Sequence, residues 1–89
     1  MTKVRINGPS LPAEVKEVEI AFSVKNLEDL ISKLIEDKPE ARAILMSKGA
    51  VRSDLNILVN GRHCMFLQGL KTQISPNDTV DIILPVIGG

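Results

Sequence analysis

A chain of 89 residues with 44% apolar content makes one small domain with a modest core. Its eleven Lys and Arg balance eleven Asp and Glu, so it lacks the basic surplus of a nucleic-acid binder, and two aromatics, Phe22 and Phe66, offer little for base stacking. A lone cysteine cannot close an internal disulfide, the first residues carry no apolar leader core, and no apolar run nears the roughly 20 residues of a membrane span, so a protein of the reducing cytoplasm is expected, with no membrane or nucleic-acid partner.

Thr2 to Asn7 alternates, with Val4 and Ile6 on one face, and predicts a half-buried strand. Gly8-Pro9-Ser10 and Pro12 break it. Glu14 to Val24 alternates again, with Val18, Ile20, Phe22 and Val24 inward and Glu17 and Glu19 outward, the pattern of an antiparallel sheet wet on one side. The period then changes: Leu27, Leu30, Ile31, Leu34 and Ile35 form the apolar stripe of an amphipathic helix, with Asn26 as N-cap and Glu28 and Asp29 in the first turn. Pro39 interrupts it, and Glu40 to Ser47 predicts a second short helical segment closed by Lys48-Gly49. Leu55 to Asn60 is a strand, Asn60-Gly61 a tight turn, and His63 to Phe66 the return strand. Leu67 to Ser75 is irregular, with Gly69 as a turn residue; Pro76-Asn77-Asp78 is a turn; Thr79 to Leu84 is the last strand. These elements predict an α+β fold, a small mixed sheet with one main helix on one face. If the first strand pairs with the last, the C-terminus leaves from the sheet's centre. The expected division is a body at 1–85 and a flexible Gly-Gly tail at 86–89.

Conventional chemistry is sparse. Cys64 and His63, adjacent on a strand, would point to opposite faces and could not share a metal; Cys64 reads as a small core residue and His63 as a surface one. Glu14, Glu17 and Glu19, interleaved with Lys16, read as a solvated strand face, and the glycines match neither phosphate-loop spacing. An independent enzyme and a metal site are therefore not expected. Two features remain. Gly88 and Gly89 end the chain on a bare α-carboxylate, an ending met by chance about once in 200 chains, and residues without Cβ can enter a narrow channel. Leu58 and Ile83, out of phase with the inward residues of their strands, are apolar positions on the open face of the sheet near the tail. They are a docking patch, or scattered surface hydrophobes, or residues covered by the Leu67-Gly69-Leu70 segment.

Three stretches carry a resemblance: Ile57-Leu58-Val59-Asn60-Gly61; Phe66-Leu67-Gln68-Gly69-Leu70-Lys71-Thr72; and Asp78 to Leu84 continuing into Pro85-Val86-Ile87-Gly88-Gly89. In their order and approximate spacing they resemble the MoaD/ThiS sulfur-carrier branch of the ubiquitin-like β-grasp family, closest to the small subunit of molybdopterin synthase. The resemblance covers about residues 24–89. Asn7-Gly8-Pro9-Ser10 departs from it, standing where many members carry an aromatic and an arginine-containing turn, and this leaves the pathway open.

The resemblance implies a β-grasp fold and a carrier with no tightly bound cofactor. Its partners would be an E1-like adenylating enzyme that uses ATP, a sulfur donor protein and the large subunit of molybdopterin synthase. Gly89 would be adenylated and then converted to a thiocarboxylate, with Gly88 giving access. Leu58, Ile83, Pro85, Val86 and Ile87 would meet the partners. Two kinds of alternative stand beside molybdenum-cofactor synthesis. One is a ubiquitin-like modifier, or a carrier for thiamine or tRNA thiolation. The other is a plain interaction module whose glycine end is incidental.

Overall fold

A computed structural model describes residues 1–8, 11, 16–21 and 23–85. Strands β1 (Thr2–Asn7) and β2 (Glu17–Ile20) lead to helix α1 (Leu27–Asp37) and a short α2 (Ala41–Leu45). Then come β3 (Met46–Ser47), β4 (Ala50–Val51), β5 (Asn56–Val59), β6 (Arg62–His63) and β7 (Thr79–Ile83), with 3₁₀ turns at Cys64–Phe66 and Gly69–Lys71. Five strands form one sheet in the order β2-β1-β7-β5-β6, and β3 and β4 form a separate hairpin. β1 and β7 run parallel, from Lys3 opposite Thr79 to Asn7 opposite Ile83, while the other neighbours are antiparallel. This is the expected mixed sheet with one main helix, and the first strand does pair with the last.

The alternation dictates the layers. Val4, Ile6, Val18, Ile20, Ile57, Val59, Val80 and Ile82 are buried in one core with Leu27, Leu30, Ile31 and Leu34 of α1. The helix starts where the sequence places it: Asn26 Oδ1 accepts from Asp29 N–H at 2.9 Å, and the Asp29 carboxylate accepts in turn from Lys25 N–H at 2.9 Å. Leu27 N–H donates to Thr72 C=O, tying the helix to the long connection before β7. No helix among the described residues is long and apolar enough to cross a membrane.

Four expectations need correction. β2 is described only over Glu17–Ile20; Glu14 and Phe22 of the predicted strand lie outside the described residues, and Val24 packs half-buried on the core without strand pairing. The second helix ends at Leu45, not Ser47, because Lys48 and Gly49 (φ 53° and 78°) turn a hairpin between β3 and β4 instead of capping a helix. Two consecutive positive φ values match a type I′ turn. The return strand stops at His63, and Cys64–Phe66 winds into a 3₁₀ turn, so the opposite-faces reading of His63 and Cys64 does not apply. Regular pairing in the last strand ends at Ile83.

Candidate functional site

β7 is the middle strand of five and is held on both sides. Its start is fixed by the Asn60-Gly61 turn: Asn60 (φ 52°) accepts from Thr79 N–H through Oδ1 and donates through Nδ2 to Asp78, both at 2.9 Å. At its far end the ladder runs one residue past Ile83. Leu84 N–H donates to Asn7 C=O at 2.8 Å, and the Leu84 side chain packs half-buried against the core. Pro85 has no N–H to extend the ladder. The tail root is therefore Leu84-Pro85, fastened to the sheet's centre. The predicted site residues Val86, Ile87, Gly88 and Gly89 lie outside the described residues.

The face of the sheet away from α1 is organised by register. One row runs Glu17, Arg5, Asp81, Leu58, His63. Arg5 and Asp81 form a bidentate pair, Nε–Oδ1 at 2.8 Å and Nη2–Oδ2 at 3.1 Å. The hydrogen bonds and charge of Asp81 push the Arg5 guanidinium further above its ordinary value. The next row runs Asn7, Ile83, Asn56. Leu58 and Ile83 are thus diagonal neighbours on adjacent strands, close enough to share one contact surface. Ile83 is 36% exposed and Leu58 half-buried. The Gly69–Lys71 turn packs against α1, on the other side of the sheet, and Leu67 and Leu70 join the core, so that segment does not cover the pair.

The patch extends beyond what the sequence indicated. His63 Nδ1 accepts from Met65 N–H at 3.1 Å, and Nε2 lies 3.1 Å from Asn56 Oδ1. The Phe66 ring meets His63 edge-on, with centroids 6.4 Å apart. Phe66 is 83% and Met65 80% exposed, so two further apolar side chains stand exposed just beyond His63, the register partner of Leu58. A two-residue strand followed by a single 3₁₀ turn has no detectable period, and the alternation that placed Phe66 in a strand had nothing to correct it.

Other chemistry does not assemble. Among the described residues no three His, Cys, Asp or Glu side chains group as a metal site. Cys64 is buried, and burial pushes its thiol up, away from a reactive thiolate. A depression of about 750 Å³, lined by Asn60, Arg62, Gln68 and Asp78, opens at the start of β7, the end opposite the tail root.

The model of the ThiS family matches residues 4–89. A putative sulfur carrier protein of Archaeoglobus fulgidus is 29% identical over 82 residues, covering 89% of this chain and 93% of its own. Small archaeal modifier protein 3 of Haloferax volcanii is 38% identical over 45 residues, 51% of this chain and 49% of its own. Among solved structures, small archaeal modifier protein 1 (SAMP1) of Haloferax volcanii superposes with a TM-score of 0.82 at 18% identity over 99% of this chain and 98% of that one, a likeness of fold that places the sheet and helix in the ubiquitin-like β-grasp. With a family match over nearly its whole length, the chain belongs to the ThiS family, and its relatives carry the names of a sulfur carrier and a small archaeal modifier.

Proposed function

We propose that the chain is a sulfur carrier whose reactive group is the carboxylate of Gly89. The observation that carries this reading is the family match, which extends to residue 89 and so takes in both terminal glycines. An E1-like enzyme would use ATP to adenylate the carboxylate, releasing pyrophosphate. A persulfide on a donor protein would then attack the acyl carbon and expel AMP. A second thiol, attacking the resulting acyl disulfide, would release a thiocarboxylate on Gly89. In this reading the partners hold the catalytic groups; like other group carriers, the chain supplies the moiety and the docking surface. Gly88 and Gly89 give slimness, Leu58 and Ile83 grip, and Pro85, Val86 and Ile87 line the way into the partner. The first acceptor to test is the pterin precursor of the molybdenum cofactor, delivered by the large subunit of molybdopterin synthase, in a cytoplasmic setting.

The half-chain likeness to small archaeal modifier protein 3 favours a second reading, in which the activated Gly89 forms an isopeptide with a lysine. Intact-mass measurement after incubation with the E1-like enzyme, ATP and a sulfur donor separates the two. Replacement of one oxygen by sulfur at Gly89 supports the carrier. A lysine adduct without that replacement supports the modifier. An unchanged mass with active enzyme overturns both.

A further inference from the structure

We propose that Gly8 is a positioning residue for the tail: its bare Cα lets Leu84 lie against the end of β1, and this close approach sets how the chain leaves the sheet. The functional consequence rests on the carrier reading above; the physical one rests on packing at the tail root. Asn7 pairs with Ile83, Asn7 C=O accepts from Leu84 N–H at 2.8 Å, and Gly8 comes next on β1's side. A Cβ on Gly8 would sit 2.6 Å from Leu84 Cδ1, 3.0 Å from Cγ and 2.9 Å from Cβ. Carbon atoms in contact prefer about 3.5–4.0 Å. Rotating the Leu84 side chain could clear Cδ1 and Cγ. It cannot clear Cβ, which moves only with the Leu84 backbone, and that backbone carries the last ladder bond.

Gly49, Gly61 and Gly69 have φ of +78°, +84° and +57° and open space where a side chain would go. They serve backbone conformation. Gly8 is the reverse: its φ is outside the left-handed region, and what the position requires is space. Leu84 precedes Pro85 and the tail, so displacing Leu84 displaces the origin from which Gly89 must reach a reacting centre.

The test is a double-mutant cycle on the full-length, isotope-labelled chain: Gly8→Ala, Leu84→Gly and both together. Gly8→Ala should speed amide exchange at position 84 by about tenfold while Val80 and Ile82 keep their protection. With the E1-like enzyme and ATP, its kcat for activation should fall on the order of tenfold to a hundredfold at unchanged KM, because the docking face is intact and only the origin of the tail has moved. In the Leu84→Gly background, where no side chain meets Gly8, the same Gly8→Ala change should alter neither readout. Unchanged exchange at position 84 in Gly8→Ala, or equal effects in both backgrounds, overturns the proposal. If Gly8→Ala unfolds the sheet, the double variant must refold it, and failure to do so also overturns it. A wild-type chain that the enzyme does not activate would sink the carrier reading, and the exchange cycle would still decide the role of Gly8.

Discussion

Ile82 and Ile83 are neighbours on the strand that feeds the tail, and they divide its two tasks. Ile82 is fully buried among the α1 residues, whereas Ile83 is 36% exposed on the open face. Ile82→Ala removes a large side chain from the centre of the core and is expected to cost about 2–5 kcal/mol. At about 4–8 °C per kcal/mol in a domain of this size, the melting temperature falls by roughly 8–40 °C, and the loss is a large part of a total stability of about 5–15 kcal/mol. At Ile83 about two thirds of the side chain is already covered. Ile83→Lys therefore forfeits roughly 1–2 kcal/mol of apolar burial, some of which the aliphatic stem of lysine regains by lying along the strand, and the melting temperature falls by less than about 10 °C. Docking would have to bury the remaining third and desolvate the ammonium as well, so affinity for the E1-like partner drops on the order of tenfold or more. Circular-dichroism melts and titration calorimetry on both variants check this. Equal losses of melting temperature would refute the division of faces on β7, and full affinity in Ile83→Lys would refute docking through the open face.

Deleting Gly89 should abolish activation in the mass assay while leaving the melting temperature within about 2 °C, since a terminal residue adds little packing; a loss as large as that of Ile82→Ala would contradict this. Asn26→Ala removes the side-chain acceptor at the start of α1 and should cost about 1 kcal/mol, seen as a 4–8 °C lower melting temperature. Cys64 holds its proton more tightly when folded than when unfolded. Its contribution is intact below the ordinary 9.0 and is lost as pH rises from there through the folded value. Melts between pH 8 and 11 should show a decline in stability that is shallower in Cys64→Ala; identical slopes would remove the thiol from the account.

Most of the fold was legible because two periods are written clearly. Val4 and Ile6, Val18 and Ile20, Ile57 and Val59, and Val80 and Ile82 repeat at two residues, and Leu27 to Leu34 repeats at three and four; burial follows both. The losses are local. Lys48-Gly49 fits a helix C-cap as well as a hairpin turn, since both want a positive φ at glycine, and only the pairing of Met46 with Val51 decides between them. Leu58 and Ile83 were legible as outward residues from strand phase alone. Met65 and Phe66 were not, because their exposure follows from the His63 acceptor that turns the chain after β6, a contact no spacing encodes.

The placement of the open-face patch relative to the tail root has an energetic meaning under the carrier reading. Ile83 stands two residues before Pro85, where the ladder has run out, and β7 beneath it is gripped from both sides. A partner holding Ile83 and Leu58 therefore holds a fixed origin, not a fraying strand end. From Ile83 to Gly89 is six residues, a reach of at most about 20–22 Å, so the reacting centre must lie within that radius of the docking surface. Tethered over so short a span, the terminus meets that centre at an effective concentration on the order of millimolar. Affinity at the patch then need not be high for the tail to be captured. A carrier that must leave its activating enzyme for the next partner gains from this arrangement, because weak docking releases the body while the short tether still secures entry of the tail.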